Sequence, residues 1–267
     1  MVEEKSINII KENKNGIALA ALSEIGDRSE QQDAFGFCFE NEQSLIVVCD
    51  GMGGHAGGRI ASSIATEGFI SDCSSGFVTD DCQYQDLLIS CAKRVDREIA
   101  SLTDENGVLL NAGSTAVAVI IAYKQLFWCS CGDSRAYLLR SKEFVQFTQD
   151  QNYKTVLREE LNAGIITKDD YLKRVVDGDA LVSFLGIGDL SLIDHNESPL
   201  LLYSGDRIVI TTDGLYKIIP DADIKRILSN AFSAEEAVNE LWLSVLQESR
   251  DMSIPMDNTT IIVVDIQ

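Results

Sequence analysis

Four aspartates stand where apolar runs of the sequence begin or end: Asp50, Asp133, Asp213 and Asp257. Three of them have a glycine as an immediate neighbour. Strands rich in valine and isoleucine are stiff and buried, so a carboxylate at a strand tip is held in place while it still reaches water. Four tips meeting at one end of a sheet would form an oxygen-only site, which favours Mg²⁺ or Mn²⁺. Zinc is disfavoured, because the chain has only two histidines.

Two such ions can clamp a phosphoryl group and activate a bridging water for in-line attack, so the aspartates predict a phosphate monoester hydrolase. Asp50 suits the bridging position because glycines follow it closely. The Gly51 carbonyl can approach a cation because no side chain stands in the way. Asp213 and Asp257 would complete one metal site, and Asp133 would serve a further ion.

A phosphate substrate also needs a fixed cation. Arg28 is the candidate, because a guanidinium can grip two phosphate oxygens at once. The glycine-rich segment 51–58 has neither the Gly-Lys-Ser/Thr nor the Gly-x-Gly-x-x-Gly arrangement of nucleotide-binding loops. Nucleotide binding is therefore a weak hypothesis.

A thiol-based phosphatase is the rival enzyme class, since the pattern Cys-x5-Arg occurs at Cys91–Arg97 and at Cys129–Arg135. Such a site needs a loop of backbone N–H groups leading into a helix and a thiol of lowered pKa. The first match lies within a glycine-free helical pattern, and the second leads into a strand. Both are interpreted as coincidences, and most of the cysteines as reduced core residues.

Composition bounds the other classes of protein. With 267 residues, of which 45% are hydrophobic, the chain can bury a full core. The net charge of −20 repels nucleic acid and anionic membrane surfaces, so neither is an expected partner. No apolar run is long enough to span a membrane, and the N-terminus is polar and acidic, so the protein is expected to be cytoplasmic.

Short strand-like runs dominate both ends of the chain, and helical spacing arrives in two pairs, one early and one late. The predicted strands are Ile17–Leu22, Ala34–Phe39, Leu45–Cys49, Thr115–Ala122, Leu126–Cys131, Ala136–Arg140, Leu200–Tyr203, Arg207–Thr211 and Thr260–Ile266. The predicted helices are Gly58–Ile70, Asp86–Leu102, Asp221–Leu228 and Ala234–Glu248, the last preceded by a Ser-x-x-Glu capping box. This order predicts an α+β fold in which antiparallel sheets are covered by helix pairs.

Residues 148–185 interrupt this pattern with two polar helical segments, Lys154–Leu161 and Thr167–Val176. They are interpreted as a mobile flap over the site.

In order and spacing, six segments of the chain resemble the bacterial branch of the metal-dependent protein phosphatases of the 2C type. They are Arg28–Asp33, Asp50–His55, Gly113–Ala116, Gly132–Tyr137, Thr212–Tyr216 and Asp257–Thr260. The likeness spans nearly the whole chain, and six ordered motifs are far more specific than any one of them.

The resemblance implies a four-layer αββα sandwich, with two central antiparallel sheets flanked by helix pairs. It implies a single domain over residues 1–267, with the flap at about 148–185 as a subdomain. A dinuclear Mn²⁺ or Mg²⁺ centre would lie at one end of the sheets.

In that centre, the resemblance implies that Asp50 bridges the two ions, that the Gly51 carbonyl binds one of them, and that Asp213 and Asp257 bind the other. A third, weaker ion would lie at Asp133.

Around the ions, the resemblance implies that Arg28 holds the substrate phosphate and that Asp33, as a hydrogen-bond acceptor, orients metal-bound water. Gln32, His55 and Asn258 are further candidates, for supporting the metal ligands or for protonating the leaving group.

The chain departs from the commonest family pattern at three places. Many relatives have a glutamate at the position of Gln32, Asp-His-Ser at Asp150-Gln-Asn152, and Thr-Arg-Ala-Leu-Gly where this chain offers Ser183-Phe-Leu-Gly186. The flap is therefore the expected carrier of substrate preference.

These observations predict a manganese- or magnesium-dependent protein phosphatase that hydrolyses phosphoserine and phosphothreonine by direct attack of a metal-bridging hydroxide. Its partners would be phosphorylated proteins, the substrates of a Ser/Thr kinase, and it is expected to act as a monomer. The alternative is a weak or inactive scaffold with the same fold, which the retained aspartates and Arg28 disfavour.

Overall fold

Two antiparallel sheets form the centre of the molecule in the structure, a computed structural model that describes residues 8–54, 57–77 and 83–267. The strands of the described residues are β1 (Ile10–Lys14), β2 (Ile17–Glu24), β3 (Asp33–Glu40), β4 (Gln43–Gly53), β5 (Ala112–Ser114), β6 (Ala116–Ala122), β7 (Gln125–Cys131), β8 (Arg135–Arg140), β9 (Glu143–Gln146), β10 (Asp194–His195), β11 (Leu200–Leu201), β12 (Arg207–Thr211) and β13 (Thr259–Ile266). The helices of the same residues are α1 (Gly57–Gly76), α2 (Tyr84–Ala100), α3 (Tyr153–Asn162), α4 (Lys168–Arg174), α5 (Asp213–Tyr216), α6 (Asp221–Asn230) and α7 (Ala234–Met252), with a 3-10 turn at Val175–Asp177.

Neighbouring strands run antiparallel throughout both sheets. The first sheet has the order β1-β2-β13-β12-β8-β9. The second has the order β10-β7-β6-β4-β3, with β11 also paired to β7 and β5 paired to β4. Both ends of the sequence therefore contribute strands to the first sheet, while the second is built mainly from the first half.

The two sheets pack face to face through one apolar layer. Along β12, Ile208 and Ile210 enter this layer, whereas Val209 between them faces the helices on the other side. Successive side chains of a strand point to opposite faces, so a strand covered on both faces reads as a continuous apolar run. This is why β6 and β12 are buried at every position.

Each sheet carries a helix pair on its outer face, so the predicted four-layer αββα sandwich of the α+β class is confirmed. Helices α1 and α2 cover the second sheet, where Phe69 and Val95 are fully buried. Helices α6 and α7 cover the first sheet, where Leu241 and Trp242 enter the core. At the start of α7, Ser233 accepts the Glu236 N–H as the predicted cap, but the Glu236 carboxylate accepts the N–H of Phe232 rather than that of Ser233.

The sequence pattern missed the strands β1, β5, β9 and β10 and the helix α5, whereas β11 lies within the predicted strand Leu200–Tyr203. Strand β1 lies at the edge of the first sheet and all of its side chains are exposed, so no apolar alternation marks it. The others are two to four residues long. Elements of this length are defined by their partners rather than by their own sequence.

Helices α3 and α4 lie within residues 148–185 and match the two helical segments predicted there. The start of α3 is tied to the end of β7 by Gln151, a buried residue. Its backbone N–H donates to the Gly132 carbonyl at 2.9 Å, its side-chain oxygen accepts the Gly132 N–H at 3.1 Å, and its amide nitrogen donates to the Ser130 carbonyl at 3.2 Å. These bonds give a structural reason for the glutamine in Asp150-Gln-Asn152. The next residue, Asn152, caps α3 by accepting the Thr155 N–H.

A second tie holds the segment that follows the 3-10 turn. Asp96 of α2 is 1% exposed, and its carboxylate accepts the backbone N–H groups of Gly186 at 2.8 Å, Gly188 at 3.0 Å and Leu190 at 3.2 Å. Ser114 and Leu185 exchange two further backbone hydrogen bonds. A buried carboxylate that accepts three N–H groups satisfies donors that would otherwise lose their partners away from water.

We expect Asp96→Ala to lower the free energy of unfolding by about 2 to 4 kcal/mol, because it removes the acceptor of three N–H groups and opens a small cavity. Urea unfolding followed by circular dichroism measures the change. Asp189→Ala is the matched control, since Asp189 lies in the same loop and is exposed. Equal stability of the two variants would show that the Asp96 carboxylate does not hold this loop.

Candidate metal and phosphate site

The predicted aspartates come together at one end of the two sheets. Asp33 and Asp50 lie opposite each other on β3 and β4 of the second sheet. Asp133 follows β7, Asp213 follows β12, and Asp257 precedes β13. All of the other four raise the pKa of Asp50 by their negative charge, so strand ends from both sheets place their carboxylates within reach of one another.

A cavity of about 510 Å³ opens at this end of the molecule. Among its lining residues are Arg28, Gln32, Asp50, Gly51, Asp213 and Asp257. Asn258 also lines this cavity, so seven of the predicted site residues border it. Asp33 lies behind it, buried next to Asp50. His55 falls outside the described residues.

Asp33 is held by two threonine hydroxyls. Its Oδ2 accepts hydrogen bonds from Thr212 Oγ1 at 2.8 Å and from Thr260 Oγ1 at 2.7 Å. Its Oδ1 is buried and has no hydrogen-bond partner among the described residues. Burial raises the pKa of Asp33 to about 7, although the two hydroxyls act in the opposite direction.

Asp50 is fixed through its backbone, which leaves its carboxylate to face the cavity. Its N–H donates to Thr115 Oγ1 at 2.9 Å, and its carbonyl accepts the Thr115 N–H at 2.8 Å. Burial, followed by the charge of Asp33 and then that of Asp213, raises the pKa of Asp50 well above its ordinary value. Such a carboxylate is stabilised in its charged form by a cation.

Gly51 occupies a place where no larger residue fits. A Cβ atom here would lie 2.1 Å from the Gly58 carbonyl oxygen and 2.6 Å from that of Gln32. The Gly51 N–H donates to the Gln32 carbonyl at 3.0 Å, so β4 leaves the sheet close against the segment before β3. Gly58 is equally confined, because its Cβ would approach the Gly51 backbone to 2.8 Å.

Arg28 and Asp257 face each other at the mouth of the cavity. The guanidinium lies 2.6 Å from Asp257 Oδ2, and this bond, followed by the charge of Asp257, raises the pKa of Arg28. Asn258 holds the segment that carries Arg28. Its amide nitrogen donates to the carbonyls of Ile25 and Glu30, and its Oδ1 accepts the Gln32 N–H at 2.8 Å.

Asp213 begins α5 and pairs with Lys217, whose Nζ lies 2.6 Å from Asp213 Oδ2. The next carboxylate, Asp133, is 5% exposed. Burial and the charge of Asp213 raise the pKa of Asp133 to about 6, while Lys217 acts against them. The Tyr216 hydroxyl donates to the Asp133 carbonyl at 2.9 Å and so ties α5 to the end of β7.

Arg135 completes this brace. Its guanidinium lies 3.6 Å from the centre of the Tyr216 ring and forms a two-point ion pair with Asp150, at 2.9 and 2.6 Å. Stacking and bidentate pairing together hold a guanidinium in one orientation. The first residue of Asp150-Gln-Asn152 therefore supports the Asp133 loop from the flap side.

The donors of this site fit hard divalent cations. They are carboxylates and a confined backbone carbonyl, and neither Asp33 nor Asp50 forms an ion pair within the described residues. The buried Oδ1 of Asp33, without a partner among the described residues and beside the carboxylates of Asp50, Asp213 and Asp257, is an arrangement that a cation stabilises. In the described part of the chain, no three Asp, Glu, His or Cys side chains are arranged as a closed ligand set. Arg28 and Lys217 hold two of the carboxylates instead.

The thiol alternative is excluded by the surroundings of both cysteines. Cys91 lies within α2 and Cys129 within β7, so neither is in a phosphate-cradling loop. Burial raises the pKa of both thiols, which is opposite to what a nucleophilic thiolate needs. Cys38, Cys49, Cys73 and Cys131 are also free thiols.

Sequence reasoning did not single out four residues that shape this site: Thr212, Thr260, Lys217 and Tyr216. Thr212 directly precedes Asp213, and Thr260 follows Asp257 by three residues. A hydroxyl so close in sequence to a predicted metal ligand was the signal that could have identified both. Lys217 follows Asp213 by four residues, the spacing at which helical side chains meet. Arg135 and Asp150 are 15 residues apart and carry no such local signal.

The fold and this acidic cavity define a class of hydrolases that use divalent metal ions. The sequence pattern of the protein phosphatase 2C family matches residues 22–256. The chain belongs to the protein phosphatase 2C family.

Known phosphatases are similar to this chain over most of its length. The chain is 28% identical over 241 residues to the serine/threonine phosphatase stp of Listeria innocua, and the match covers 82% of this chain and 92% of the relative. The serine/threonine phosphatase of S. agalactiae has a similar structure, with a TM-score of 0.79, 25% identity, and coverage of 94% of this chain and all of the other. The catalytic domain of the phosphatase PstP, crystallised with two manganese ions, shares the fold with a TM-score of 0.72, 24% identity, and coverage of 93% and 97%.

These findings confirm the predicted family, fold class and enzyme class, that of the metal-dependent phosphoprotein phosphatases. The scaffold alternative is not favoured. None of the helices in the described residues is long and apolar enough to cross a membrane.

In the metal-free protein, we expect the free energy of unfolding to fall as the pH rises from about 5 to about 8. The carboxyls of Asp33 and Asp133 have a pKa of about 7 and about 6 in the folded chain, whereas an unfolded aspartate has a pKa of about 3.9. The folded state therefore binds more protons than the unfolded state over this interval, and stability decreases with pH.

Urea unfolding in EDTA at several pH values measures this slope. Asp33→Asn is the matched variant, because it keeps the shape of the side chain and removes one titrating group, so its slope should be shallower. Excess Mn²⁺ should remove or reverse the slope, since the cation binds the charged carboxylates. A metal-free stability that rises through this interval would contradict the assigned pKa directions.

Proposed function

We propose that this chain hydrolyses phosphoserine and phosphothreonine in proteins at the cavity between Arg28 and the aspartate cluster. One observation carries the proposal. Carboxylates from both sheets converge beside a single exposed arginine, and the innermost of them, Asp33, keeps a buried oxygen without a partner among the described residues. An enzyme site for a phosphate group needs this combination of metal-binding anions and one fixed cation.

Manganese or magnesium is the proposed cofactor, in the form of two ions with a third, weaker one at Asp133. Asp50, the Gly51 carbonyl, Asp213 and Asp257 would hold the two ions. The family and the two manganese ions in the PstP catalytic domain support this assignment. When bound, such ions supply Lewis acidity, lower the pKa of water and neutralise the charge of the phosphoryl group.

Arg28 is proposed to bind the phosphate of the substrate. Its side chain is 61% exposed and, within the part of the chain that the structure describes, pairs only with Asp257, so a second anion can approach the same guanidinium. Three hydrogen bonds between Asn258 and the segment that carries Arg28 fix the position of that segment. Asn258 therefore supports the site by holding backbone, and Gln32 borders the cavity as a neutral amide.

Asp33 is proposed to orient water inside the site. Its two threonine partners occupy Oδ2 and fix the carboxylate plane, which leaves Oδ1 as an acceptor. A preoriented acceptor at the reaction centre favours one orientation of the attacking molecule. His55, outside the described residues, stays a candidate for supporting the metal ligands or for protonating the leaving group.

The proposed substrates are proteins phosphorylated by a Ser/Thr kinase, and the proposed compartment is the cytoplasm. The names of the bacterial relatives support the first. The cysteines of the described residues, all free thiols, support a reducing compartment. The net charge of −20 makes copies of the chain repel one another, which supports a monomer.

Hydrolysis of a phosphothreonine peptide tests the proposal directly. We expect activity with Mn²⁺, loss of activity in EDTA, and recovery when excess Mn²⁺ is restored. Iodoacetamide should leave the native enzyme active, because Cys91 and Cys129 are buried. Asp213→Asn should lose most activity while keeping its circular dichroism spectrum. Turnover that survives EDTA, or a fully active Asp213→Asn enzyme, would refute the metal site.

For Arg28→Ala we expect KM for phosphopeptides to rise by roughly 10- to 100-fold, the effect of losing a hydrogen bond to a charged group, with a smaller change in kcat. Arg28→Lys should recover part of the loss, since it restores the charge without the fork. Arg59→Ala is the control, because Arg59 is an exposed arginine that pairs with Glu30 and does not line the cavity. An unchanged KM for Arg28→Ala would remove Arg28 from the phosphate site.

A further inference from the structure

A second cavity adjoins the first and lies between the Asp133 loop and α3. Its volume is about 690 Å³, larger than that of the proposed reaction site. Asp133, Tyr216 and Lys217 border it on one side, and Lys154 and Arg158 of α3 border it on the other. Lys217 joins the two cavities, because it lines this one and lies 2.6 Å from Asp213 of the first.

The wall formed by α3 is firmly attached to the reaction site. The three hydrogen bonds of Gln151 anchor the start of this helix to Gly132, the neighbour of Asp133, and to Ser130. The backbone N–H of Lys154 donates to the Gly178 carbonyl at 2.7 Å. Lys154 and Arg158 are four residues apart, so their side chains project from the same face of the helix.

The charges in this cleft are not all matched. Four of its lining residues are cations: Arg135, Lys154, Arg158 and Lys217. Arg135 is paired with Asp150, and Lys217 with Asp213. Across the described part of the chain, Lys154 and Arg158 form no ion pair and donate no side-chain hydrogen bond, and both are exposed.

Four carboxylates also line the cleft, those of Asp133, Asp150, Glu159 and Asp179, and within the described residues none of them forms an ion pair with Lys154 or Arg158. Asp179 lies 3.9 Å from Lys217, and Glu159 accepts a hydrogen bond from the Gln149 amide at 3.0 Å. Neutral hydrogen-bonding side chains, including those of Thr155 and Asn162, fill much of the remaining wall. In a chain of net charge −20, two unpaired cations within a polar cleft beside the reaction site form a local site for an anion.

We propose that this cleft, through Lys154 and Arg158, binds a second anionic group of the substrate protein, located a few residues from the phosphoserine or phosphothreonine that is hydrolysed. The inference rests on the proposed function and specifies its substrate class. The second group is a phosphoryl or a carboxylate side chain. A phosphoryl group gains more from two adjacent cations, because its charge at neutral pH is close to −2.

A set of phosphothreonine peptides tests this with the whole protein in Mn²⁺. One peptide is otherwise neutral, and the others carry one glutamate or one phosphoserine at each of the three positions on either side of the phosphothreonine. We expect kcat/KM to rise roughly five-fold at the best position, as two exposed ion pairs would produce, and to fall again as salt is added. A larger gain for phosphoserine than for glutamate would identify a second phosphate as the preferred group, and equal gains would identify acidic side chains generally.

The double variant Lys154→Gln/Arg158→Gln should lose this gain, while kcat/KM for the neutral peptide stays within about two-fold of the unsubstituted enzyme. Lys93→Gln/Lys142→Gln is the matched control, since it removes two exposed cations that do not line the cleft. The control should retain the gain. If the control loses as much as the double variant, the effect is one of net charge and the cleft is not the site.

Binding separates this inference from the catalytic proposal. Fluorescence anisotropy of labelled peptides on the Asp213→Asn protein needs no turnover, and Kd should be lower for the peptide with two anionic groups only when Lys154 and Arg158 are present. If the unsubstituted enzyme hydrolyses no phosphopeptide but the doubly anionic peptide still binds more tightly, the cleft is supported and the catalytic proposal fails. Equal Kd for singly and doubly anionic peptides would overturn the cleft.

Discussion

The main physical constraint on this molecule is the repulsion among its buried carboxylates, which the rest of the fold must overcome. Asp33 and Asp50 lie opposite each other on paired strands, and the charges of Asp133 and Asp213 reach the same place. Like charges at such distances oppose the folded state. They remain together because each is attached to a strand end that is fixed by an apolar layer on both faces of its sheet. The free energy of burying those layers stabilises an arrangement that the site residues alone would not adopt.

The main architecture could be predicted because its strands and helices follow from patterns of neighbouring residues in the sequence. Runs such as Ile208–Thr211 alternate between two buried faces and read as strands, and the aspartates that follow them mark the ends of those strands. The helix pairs show clear apolar periodicity and, in the case of α7, a serine cap. The six ordered segments then resemble one family. Everything in this set depends on residues that are close together in the sequence.

What escaped prediction depends on distances between strands that only the folded chain defines. The hydroxyls of Thr212 and Thr260 meet on Asp33 because β3, from the second sheet, reaches the ends of β12 and β13 of the first. The Arg135–Asp150 pair and the tie between Asp96 and the loop after Leu185 have the same origin. The short strands β5 and β10 exist only through their partners. In each case the residue type suggested a polar contact, but its partner lay far away in the sequence.

The attachment of α3 through Gln151 separates two roles of this segment. One is to fix the helix beside the reaction centre, and the other is to present exposed side chains to a substrate protein. Gln151 bonds Gly132 and Ser130 and fixes the start of the helix beside the reaction centre, whereas Lys154 and Arg158 on the exposed face form no side-chain hydrogen bond or ion pair within the described residues. Substitutions on that outer face can therefore accumulate without moving the aspartates. A lineage that keeps the glutamine and exchanges the exposed residues retains its chemistry while it explores new target proteins, so enzymes of this design can diversify in what they recognise through single surface changes.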